Sequence, residues 1–256
     1  MEDLDAPRVA PGSAPLILHT LEAFGLAWDG EVEYQSRRME RYEAALGTLA
    51  ARGLIFPCSC SRRELAGAEE RGYPGTCRGG PARPGPTAQR FRIDDGEVVR
   101  FDDRIQGPQA SSMRQLGDVV VRRRDGLFAY QLAVSVDDAA QGITDVVRGA
   151  DLLESTAWQI AIASALELRP PRFAHLPLVV EPDGSKLAKS RRSAPIDLLH
   201  SGAWLAETLR LLGQEPPSEL AREPPRIQLD WAIRHFRLAP LYRVRSVRAP
   251  EADFAI

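Results

Sequence analysis

The sequence predicts an α/β domain that is built on a parallel sheet and contains a cysteine-bearing loop region. Segment 143–180 has the pattern of a strand, a helix and a second strand, an order that favours parallel strands joined by a helical crossover. The apolar run 128–136 is typical of a strand buried on both faces. The composition, 44% hydrophobic and 27% charged over 256 residues, supports a sizeable core and excludes a disordered chain.

The charge balance limits the classes of partner. There are 33 Lys and Arg against 35 Asp and Glu, for a net charge of −2. This argues against a surface coated in positive charge for sequence-independent nucleic-acid binding, although it allows a local basic patch. The chain contains no run of 18 apolar residues, so no transmembrane helix is predicted. Residues 1–5 are acidic, whereas a secretory signal begins with basic residues. We therefore expect a cytoplasmic protein without membrane contact.

Two helices are predicted in the first 56 residues. Apolar residues keep helical spacing from Ile17 to Phe24, between a candidate N-cap at Ser13 and a stop at Gly25. A second helix is predicted from about Ser36 to Arg52, with one apolar face.

The remainder of the chain alternates strand and helix patterns. The predicted elements are short β-like runs at 91–93, 98–101 and 119–121, strands at 128–136, 143–148 and 175–180, a helix at 151–168, and a polar loop at 181–195. Asp137 and Asp138 are expected to end the strand 128–136, and Pro170 and Pro171 to stop the helix. The last 60 residues are helical in places.

Three cysteines, Cys58, Cys60 and Cys77, lie in the Gly/Pro-rich stretch 57–88, which has neither helical nor strand periodicity for most of its length. Such a stretch needs an additional source of order, and a bound metal ion is the usual one. Three thiolates suit tetrahedral Zn²⁺. The alternative is three unpaired thiols. Because the loop otherwise lacks a core, we favour a structural zinc site.

The fourth zinc ligand stays open on these grounds. No histidine lies near the cysteines, so Tyr73, Glu69, Glu70 or water must complete the set.

A basic loop follows Gly184. It has four cations within 186–192, and a solvated basic turn is the ordinary interpretation. Lys186 and Lys189, three residues apart, are also able to reach a triphosphate as point charges.

Arg148 is a candidate ligand-binding residue. It lies at the carboxyl end of a predicted parallel strand, and open α/β sheets bind ligands at the carboxyl ends of their strands. Arginine also binds carboxylates through two parallel hydrogen bonds. Tyr130 is expected on the neighbouring strand, either packed in the core with a satisfied hydroxyl or facing the same ligand.

Several motifs together resemble one family, the class I aminoacyl-tRNA synthetases of the glutamyl/glutaminyl group. The matching stretches span about residues 2–200 and are 2–5, 26–30, 34–37, 124–130, 136–138, 142–152, 175–178 and the Lys-Leu-Ala-Lys-Ser motif at 186–190. Each motif is modest, but the set in this order is specific.

Two features resemble the short branch of that family, which has no anticodon-binding domain. Only residues 201–256 follow the Lys-Leu-Ala-Lys-Ser loop, too few for such a domain. The spacing of Cys58, Cys60, Tyr73 and Cys77 is similar to the zinc site of this branch, with Tyr73 as the fourth ligand.

The resemblance implies a Rossmann-type catalytic domain with a zinc-bearing insertion. The expected parts are the remainder of a first Rossmann half at 1–56, the insertion at 57–124, a second Rossmann half with the lysine loop at 125–200, and a helical C-terminal tail at 201–256. It implies a monomer that activates L-glutamate with ATP and Mg²⁺ and transfers it to the queuosine base in the anticodon of tRNA(Asp).

The resemblance also implies roles for single residues. Glu2 would bind the ammonium group of glutamate, Arg148 would pair with a substrate carboxylate, and Tyr130 would hydrogen-bond beside it. Lys189, with Lys186 as a second catalytic cation, would bind ATP and stabilise charge on the leaving pyrophosphate.

The sequence departs from the family at its start, where no His-x-Gly-His-like nucleotide-binding element precedes Glu2. We expect the first βαβ half-unit to be missing and a sheet edge to be exposed. Two other functions therefore stay open. One is a zinc-stabilised remnant that binds tRNA or a partner without activating glutamate; the other is a glutamyl-tRNA synthetase shortened at both ends.

Overall fold

The computed structural model describes residues 1–65, 72–181, 183–185, 196 and 198–249. Its strands are β1 (Ile55–Cys58), β2 (Ala88–Phe91), β3 (Val98–Asp103), β4 (Gly107–Ser112), β5 (Val119–Arg122), β6 (Asp145–Gly149), β7 (Arg172–Leu176), β8 (Leu178–Val180) and β9 (Ser246–Arg248). Its α-helices are α1 (Ser13–Ala23), α2 (Met39–Ala51), α3 (Arg62–Leu65), α4 (Met113–Leu116), α5 (Tyr130–Ala140), α6 (Leu153–Ala165), α7 (Ser201–Leu211) and α8 (Pro225–His235). Short 3₁₀ helices lie at Ala6–Arg8, Gln35–Arg37, Ala150–Leu152, Leu198–His200, Ser218–Arg222 and Ala239–Leu241.

A four-stranded sheet with the order β4-β3-β7-β6 organises the second half of the chain. Strands β3, β7 and β6 are parallel, and β4 pairs antiparallel with β3 at the edge. Helix α6 connects β6 to β7, so the predicted strand–helix–strand unit and the α/β class with a parallel sheet are confirmed. Strand β6 is the outer strand of the described sheet, and Val147 on it is 63% exposed.

A second sheet, β1-β2-β5, is antiparallel and holds the cysteine region. Cys58 is the last residue of β1 and pairs with Ala88 of β2. Strand β9, near the C-terminus, pairs in parallel with β8, which follows β7 in the chain. The sequence patterns did not predict β1, β4 or β9.

The main core lies between the helices and the two larger sheets. Its buried side chains come from α2, α5 and α6 and from the strand regions facing them: Tyr42, Leu46, Leu49, Phe91, Ile93, Val99, Met113, Val121, Phe128, Leu132, Ala133, Val136, Ala157, Ala161 and Ile162. The longest described helices, α2 and α6, have 13 residues, and none of the described helices combines the length and apolar character that crossing a bilayer requires.

The predicted strand 128–136 is wrong, because this segment enters helix α5 at Tyr130. Leu132, Ala133 and Val136 are buried at helical spacing, and a short apolar run cannot separate a buried strand from a buried helix by periodicity alone.

Asp137, expected to end that strand, is instead a buried residue of α5. Its carboxylate lies 2.8 Å from Arg38 Nε and accepts hydrogen bonds from Tyr42 Oη at 2.8 Å and Gln35 Nε2 at 2.9 Å. These partners from α2 and the preceding turn satisfy the buried charge and fix α5 in the core.

The other predicted elements are confirmed with shifted boundaries. Helices α1 and α2 occur as predicted, except that Ser13 is the first helical residue and Gly12 occupies the N-cap. The predicted strand 175–180 is divided at Pro177 into the end of β7 and β8. Most of the loop 181–195 lies outside the described residues.

Candidate active site and thiol cluster

An open cleft of about 540 Å³ lies beside the carboxyl end of β6. Its lining residues are Glu2, Tyr130, Val134, Asp138, Val146, Arg148 and Leu152. The structure therefore brings together Glu2, Tyr130 and Arg148, the three residues to which the family resemblance assigns glutamate binding. Tyr130 begins α5 rather than lying on a strand, so its hydroxyl approaches Arg148 from the helix that covers the sheet.

Arg148 is held by hydrogen bonds on two of its three guanidinium nitrogens. Nε donates to His175 Nε2 at 3.0 Å. Nη2 donates to Thr156 Oγ1 at 2.9 Å and to Gln159 Oε1 at 2.8 Å. Nη1 has only a long contact of 3.4 Å with Tyr130 Oη among the described residues. The guanidinium is thus fixed through Nε and Nη2, and Nη1 is the nitrogen that remains for a ligand in the cleft.

His175 lies directly across the sheet from Arg148, since the two residues are register partners on β7 and β6. Its ring is fully buried. Burial lowers the pKa of His175 against the opposing effect of Asp103, so the ring is neutral at pH 7. Because arginine Nε can only donate, His175 Nε2 must accept, and the proton therefore resides on Nδ1.

Asp103, the last residue of β3, holds that tautomer. Its Oδ2 lies 2.6 Å from His175 Nδ1. Its Oδ1 accepts backbone N–H bonds from Ile105, Gln106 and His175 at 3.0, 2.7 and 3.1 Å. Burial raises the pKa of Asp103, but these hydrogen bonds outweigh it and leave the pKa below its usual value. Asp103, His175 and Arg148 thus form a chain across the ends of three parallel strands.

Two carboxylates also line the cleft. Glu2 is exposed, and Asp138 on α5 is half-buried. Burial raises the pKa of Asp138 to about 6; Arg148 opposes this, and the charges of Asp137 and Glu2 add to it. A cation from a ligand between Glu2 and Asp138 would relieve their repulsion.

A cluster of thiols lies at the end of β1, well separated in sequence from the cleft residues. The Sγ atoms of Cys58, Cys60 and Cys77 are within 4.8 Å of one another, and Cys60 Sγ is 3.6 Å from Cys77 Sγ. The edge of a tetrahedron with Zn–S bonds of about 2.3 Å is about 3.8 Å, so this spacing fits a zinc ion.

Tyr73 lies beside the three thiols. Its Oη is 3.4 Å from Cys58 Sγ and 3.7 Å from Cys60 Sγ, and it accepts the Cys77 backbone N–H at 2.9 Å. The Arg90 guanidinium stacks 4.0 Å from the Tyr73 ring centroid. Burial would raise the pKa of Cys77, but hydrogen bonds from Tyr73 and from backbone N–H groups lower it to about 6, which favours the metal-binding thiolate. The other two candidate ligands, Glu69 and Glu70, lie outside the described residues.

Two glycines allow the backbone before Tyr73 to reach this position. Gly72 and Gly117 both have φ near +70°, and a Cβ at Gly117 would lie 2.2 Å from the Tyr73 backbone nitrogen. The backbone before Tyr73 therefore lies so close to the backbone at 115–117 that a side chain at Gly72 or Gly117 would clash.

The remaining predicted site residues, Lys186 and Lys189, lie outside the described residues. The structure also adds residues to which the sequence analysis gave no role in a site: Asp103, Asp138, Thr156, His175 and Gln159. Nothing in their spacing signals a site, because they come from two strands and two helices that meet only in the fold.

The comparisons with known proteins agree with these features. Residues 1–209 match the family model of tRNA synthetases class I (E and Q), catalytic domain. A relative from Pseudomonas aeruginosa strain PAO1, named Glutamyl-Q tRNA(Asp) synthetase, is 48% identical over 92% of this chain and 80% of its own length. A relative of the same name from Aromatoleum aromaticum is 46% identical over 98% of this chain and 82% of its own.

Two solved structures share the fold. A glutamate tRNA ligase from Elizabethkingia meningosepticum, determined in complex with its amino acid, matches with a TM-score of 0.75 and 22% identity. A glutamate-tRNA synthetase from Elizabethkingia anophelis matches with a TM-score of 0.76 and 22% identity. These matches cover 97% and 98% of this chain but only 59% and 60% of the other chains. The chain belongs to the class I tRNA synthetase family of the glutamate and glutamine type, together with the glutamyl-Q tRNA(Asp) synthetases.

Proposed function

We propose that this protein activates L-glutamate with ATP and transfers it to the queuosine base in the anticodon of tRNA(Asp). The observation that supports this best is the polarity of the cleft. The cleft is lined by the donors Arg148 Nη1 and Tyr130 Oη and by the carboxylates of Glu2 and Asp138. Glutamate has the complementary pattern, an anionic side chain and an ammonium group. The names of the relatives supply the identity of the acceptor.

Arg148 and Tyr130 bind the side-chain carboxylate of glutamate in this proposal. A guanidinium fixed by His175, Thr156 and Gln159 suits a group that stays in place throughout the reaction. The α-carboxylate must remain free, because strong pairing with arginine would reduce its nucleophilicity. Glu2, supported by the charge of Asp138, binds the ammonium group.

Activation joins the α-carboxylate to the α-phosphorus of ATP and releases pyrophosphate. A nucleophilic group of the queuosine base then attacks the acyl carbon, and AMP leaves. Lys189 and Lys186 are proposed to stabilise the charge that develops on pyrophosphate, together with Mg²⁺, and positioning supplies much of the acceleration. The protein is predicted to act in the cytoplasm as a monomer.

Cys58, Cys60, Tyr73 and Cys77 are proposed to hold one structural Zn²⁺. The distances among the three thiols and the phenol oxygen support this ligand set. The cluster lies apart from the cleft residues in sequence and in its sheet, so the ion would order the stretch 57–88 rather than take part in the chemistry.

Glutamate-dependent exchange of pyrophosphate into ATP tests the activation step. Relative to the unmodified chain, Arg148→Ala is expected to lose at least about 100-fold of the glutamate-dependent exchange, since a partly buried charge-assisted contact is removed. Arg41→Ala, an exposed arginine of α2 outside the cleft, is the matched control and retains exchange. Exchange that is unchanged in Arg148→Ala would remove the assigned carboxylate site, and tRNA binding without any exchange would favour the non-catalytic remnant.

A further inference from the structure

Arg90 is a buried cation beside the thiol cluster. It lies on β2, the middle strand of the sheet β1-β2-β5, and is only 9% exposed. Its Nη1 donates to the backbone carbonyl of Asp118 at 2.6 Å, and its Nε has no hydrogen-bond partner among the described residues. Because arginine stays protonated in proteins, a full positive charge is buried at this position.

No carboxylate in the described part of the chain neutralises this charge. Asp118 offers Arg90 only its backbone, since its carboxylate lies 2.7 Å from Arg78 Nε and accepts the backbone N–H of Ile93 at 2.9 Å. A buried charge is costly unless an opposite charge or several hydrogen bonds compensate it. The group that Arg90 faces, the thiol cluster, is therefore the candidate source of compensation.

The guanidinium of Arg90 stacks on the ring of Tyr73. It lies 4.0 Å from the ring centroid, and Phe56, the register partner of Arg90 on β1, packs against the same ring at a centroid distance of 6.1 Å. These contacts hold the ring while its Oη lies 3.4 Å from Cys58 Sγ. Arg90 thus helps to orient the proposed fourth zinc ligand.

The proposed zinc cluster carries the opposite charge that Arg90 needs. Zinc binds deprotonated thiols, and three thiolates hold more negative charge than one Zn²⁺ neutralises. Cys58 and Cys77 are buried, so this excess negative charge lies where water screens it poorly. A guanidinium against the ring of the fourth ligand offsets it.

Arg124 adds a second cation from another part of the chain. Its Nη2 donates to the backbone carbonyl of Cys60 at 2.6 Å and also to that of Ser59. Arg90 and Arg124 line one cavity of about 490 Å³ together with Cys58 and Cys60. Because Arg124 is exposed, solvent screens its charge, and its effect is weaker than that of Arg90.

We propose that Arg90 is a positioning residue of the zinc site, which holds Tyr73 against the thiols and offsets the negative charge of the cluster, with Arg124 as a weaker second cation. This inference rests on the proposed zinc site. The thiolate charges are fixed only while zinc holds them, so Arg90 stabilises the zinc-loaded chain more than the zinc-free chain.

Competition with a chelator measures the zinc affinity of the unmodified chain and of three variants. Arg90→Gln removes the charge and is expected to weaken zinc binding by about 10–100-fold. Arg90→Lys keeps the charge without the planar stack, and its loss of affinity is expected to be smaller. Arg100→Gln makes the same charge change at an exposed position of β3 and is expected to bind zinc like the unmodified chain.

Urea unfolding with and without zinc separates this role from packing within the sheet. Arg90→Gln is expected to lower the free energy of unfolding of the zinc-loaded chain more than that of the zinc-free chain. Equal losses in the two states, or equal zinc affinities of Arg90→Gln and Arg90→Lys, would overturn the proposal. If Arg90→Gln does not fold, Arg124→Gln replaces it with an expected loss of zinc affinity of about two- to fivefold, and unchanged affinity in that variant would overturn the proposal.

The zinc content of the unmodified chain tests the site separately from the role of Arg90. One zinc ion per chain, bound with the same affinity in Arg90→Gln, would keep the site and overturn the inference. An unmodified chain that binds no zinc would contradict the site itself and the inference with it.

Discussion

His175 Nδ1 lies 2.6 Å from Asp103 Oδ2, and both side chains are fully buried. This contact determines which ring nitrogen holds the proton and therefore whether Nε2 can accept from Arg148. Arg148 in turn can present Nη1 to the cleft only in the orientation that His175, Thr156 and Gln159 fix. The orientation of Arg148 in the cleft is thus fixed by residues at the ends of the parallel strands.

Asp103→Asn is expected to weaken glutamate binding at least about tenfold while preserving the fold. Backbone N–H groups occupy Oδ1, so the new amide nitrogen must face His175 and donate to Nδ1. The ring proton is then forced onto Nε2, where it opposes the Arg148 Nε–H. Calorimetric titration with glutamate measures the affinity, and ¹⁵N chemical shifts of the histidine ring report the tautomer.

Asp102→Asn is the matched control for this change, because Asp102 is the exposed neighbour on β3. It is expected to bind glutamate normally. Equal affinity in Asp103→Asn and Asp102→Asn would show that the buried contact does not position Arg148.

Tyr130→Phe and Arg148→Lys are expected to differ in severity. Loss of the Tyr130 hydroxyl removes one hydrogen bond to the glutamate carboxylate, which corresponds to about 1.5–3 kcal/mol of binding free energy. Lysine at 148 cannot contact His175, Thr156 and Gln159 together while reaching the cleft, so we expect a larger loss of about 3 kcal/mol or more. Glutamate titrations of the two variants decide the order, and a milder effect of Arg148→Lys would contradict the fixed-guanidinium site.

Asp138 is expected to make stability depend on pH. Its pKa is raised in the folded protein to about 6, so the folded state binds a proton that the unfolded state releases near pH 4. The stabilisation is present below about pH 4 and is lost as pH rises through 6. Asp138→Asn should therefore increase the free energy of unfolding by about 1 kcal/mol at pH 8 and change it little at pH 4. Urea unfolding at both pH values tests this prediction. An equal increase in the free energy of unfolding at pH 4 and pH 8 would mean that the substitution acts through packing and not through the charge of Asp138.

The thiol cluster predicts one metal ion per chain. Cys77→Ser is expected to remove most of the zinc, whereas Tyr73→Phe retains three thiolates and should weaken binding by roughly 10–100-fold. Elemental analysis of the pure protein and competition with a chelator measure these two effects. A zinc content well below one per unmodified chain would exclude the site, and equal affinity in Tyr73→Phe would assign the fourth ligand elsewhere.

The sequence patterns predicted the parts of the site that depend on local motifs. Cys58, Cys60 and Cys77 are recognisable as a candidate metal site because three thiols lie in a loop without a core. Tyr73 as the fourth ligand followed only from the family resemblance. Arg148 is recognisable because a cation at the end of a parallel strand has a defined location.

The supporting residues could not be predicted in the same way. Asp103 and His175 are 72 positions apart in the chain and meet only because β3 and β7 are adjacent in the sheet. The run 128–136 satisfies both strand and helix patterns, and the contacts of Asp137 with Arg38 and Tyr42 on the α2 side fix the helix. Tertiary contacts of this kind have no signature in local periodicity.

Transfer of labelled glutamate to tRNA(Asp) that contains queuosine tests the central claim most directly. Parallel reactions use the same tRNA(Asp) without queuosine and tRNA(Glu). We expect stable labelling of the queuosine-containing tRNA(Asp) alone, and its loss in Arg148→Ala. Labelling of tRNA(Glu), or equal labelling of tRNA(Asp) with and without queuosine, would contradict the proposed function.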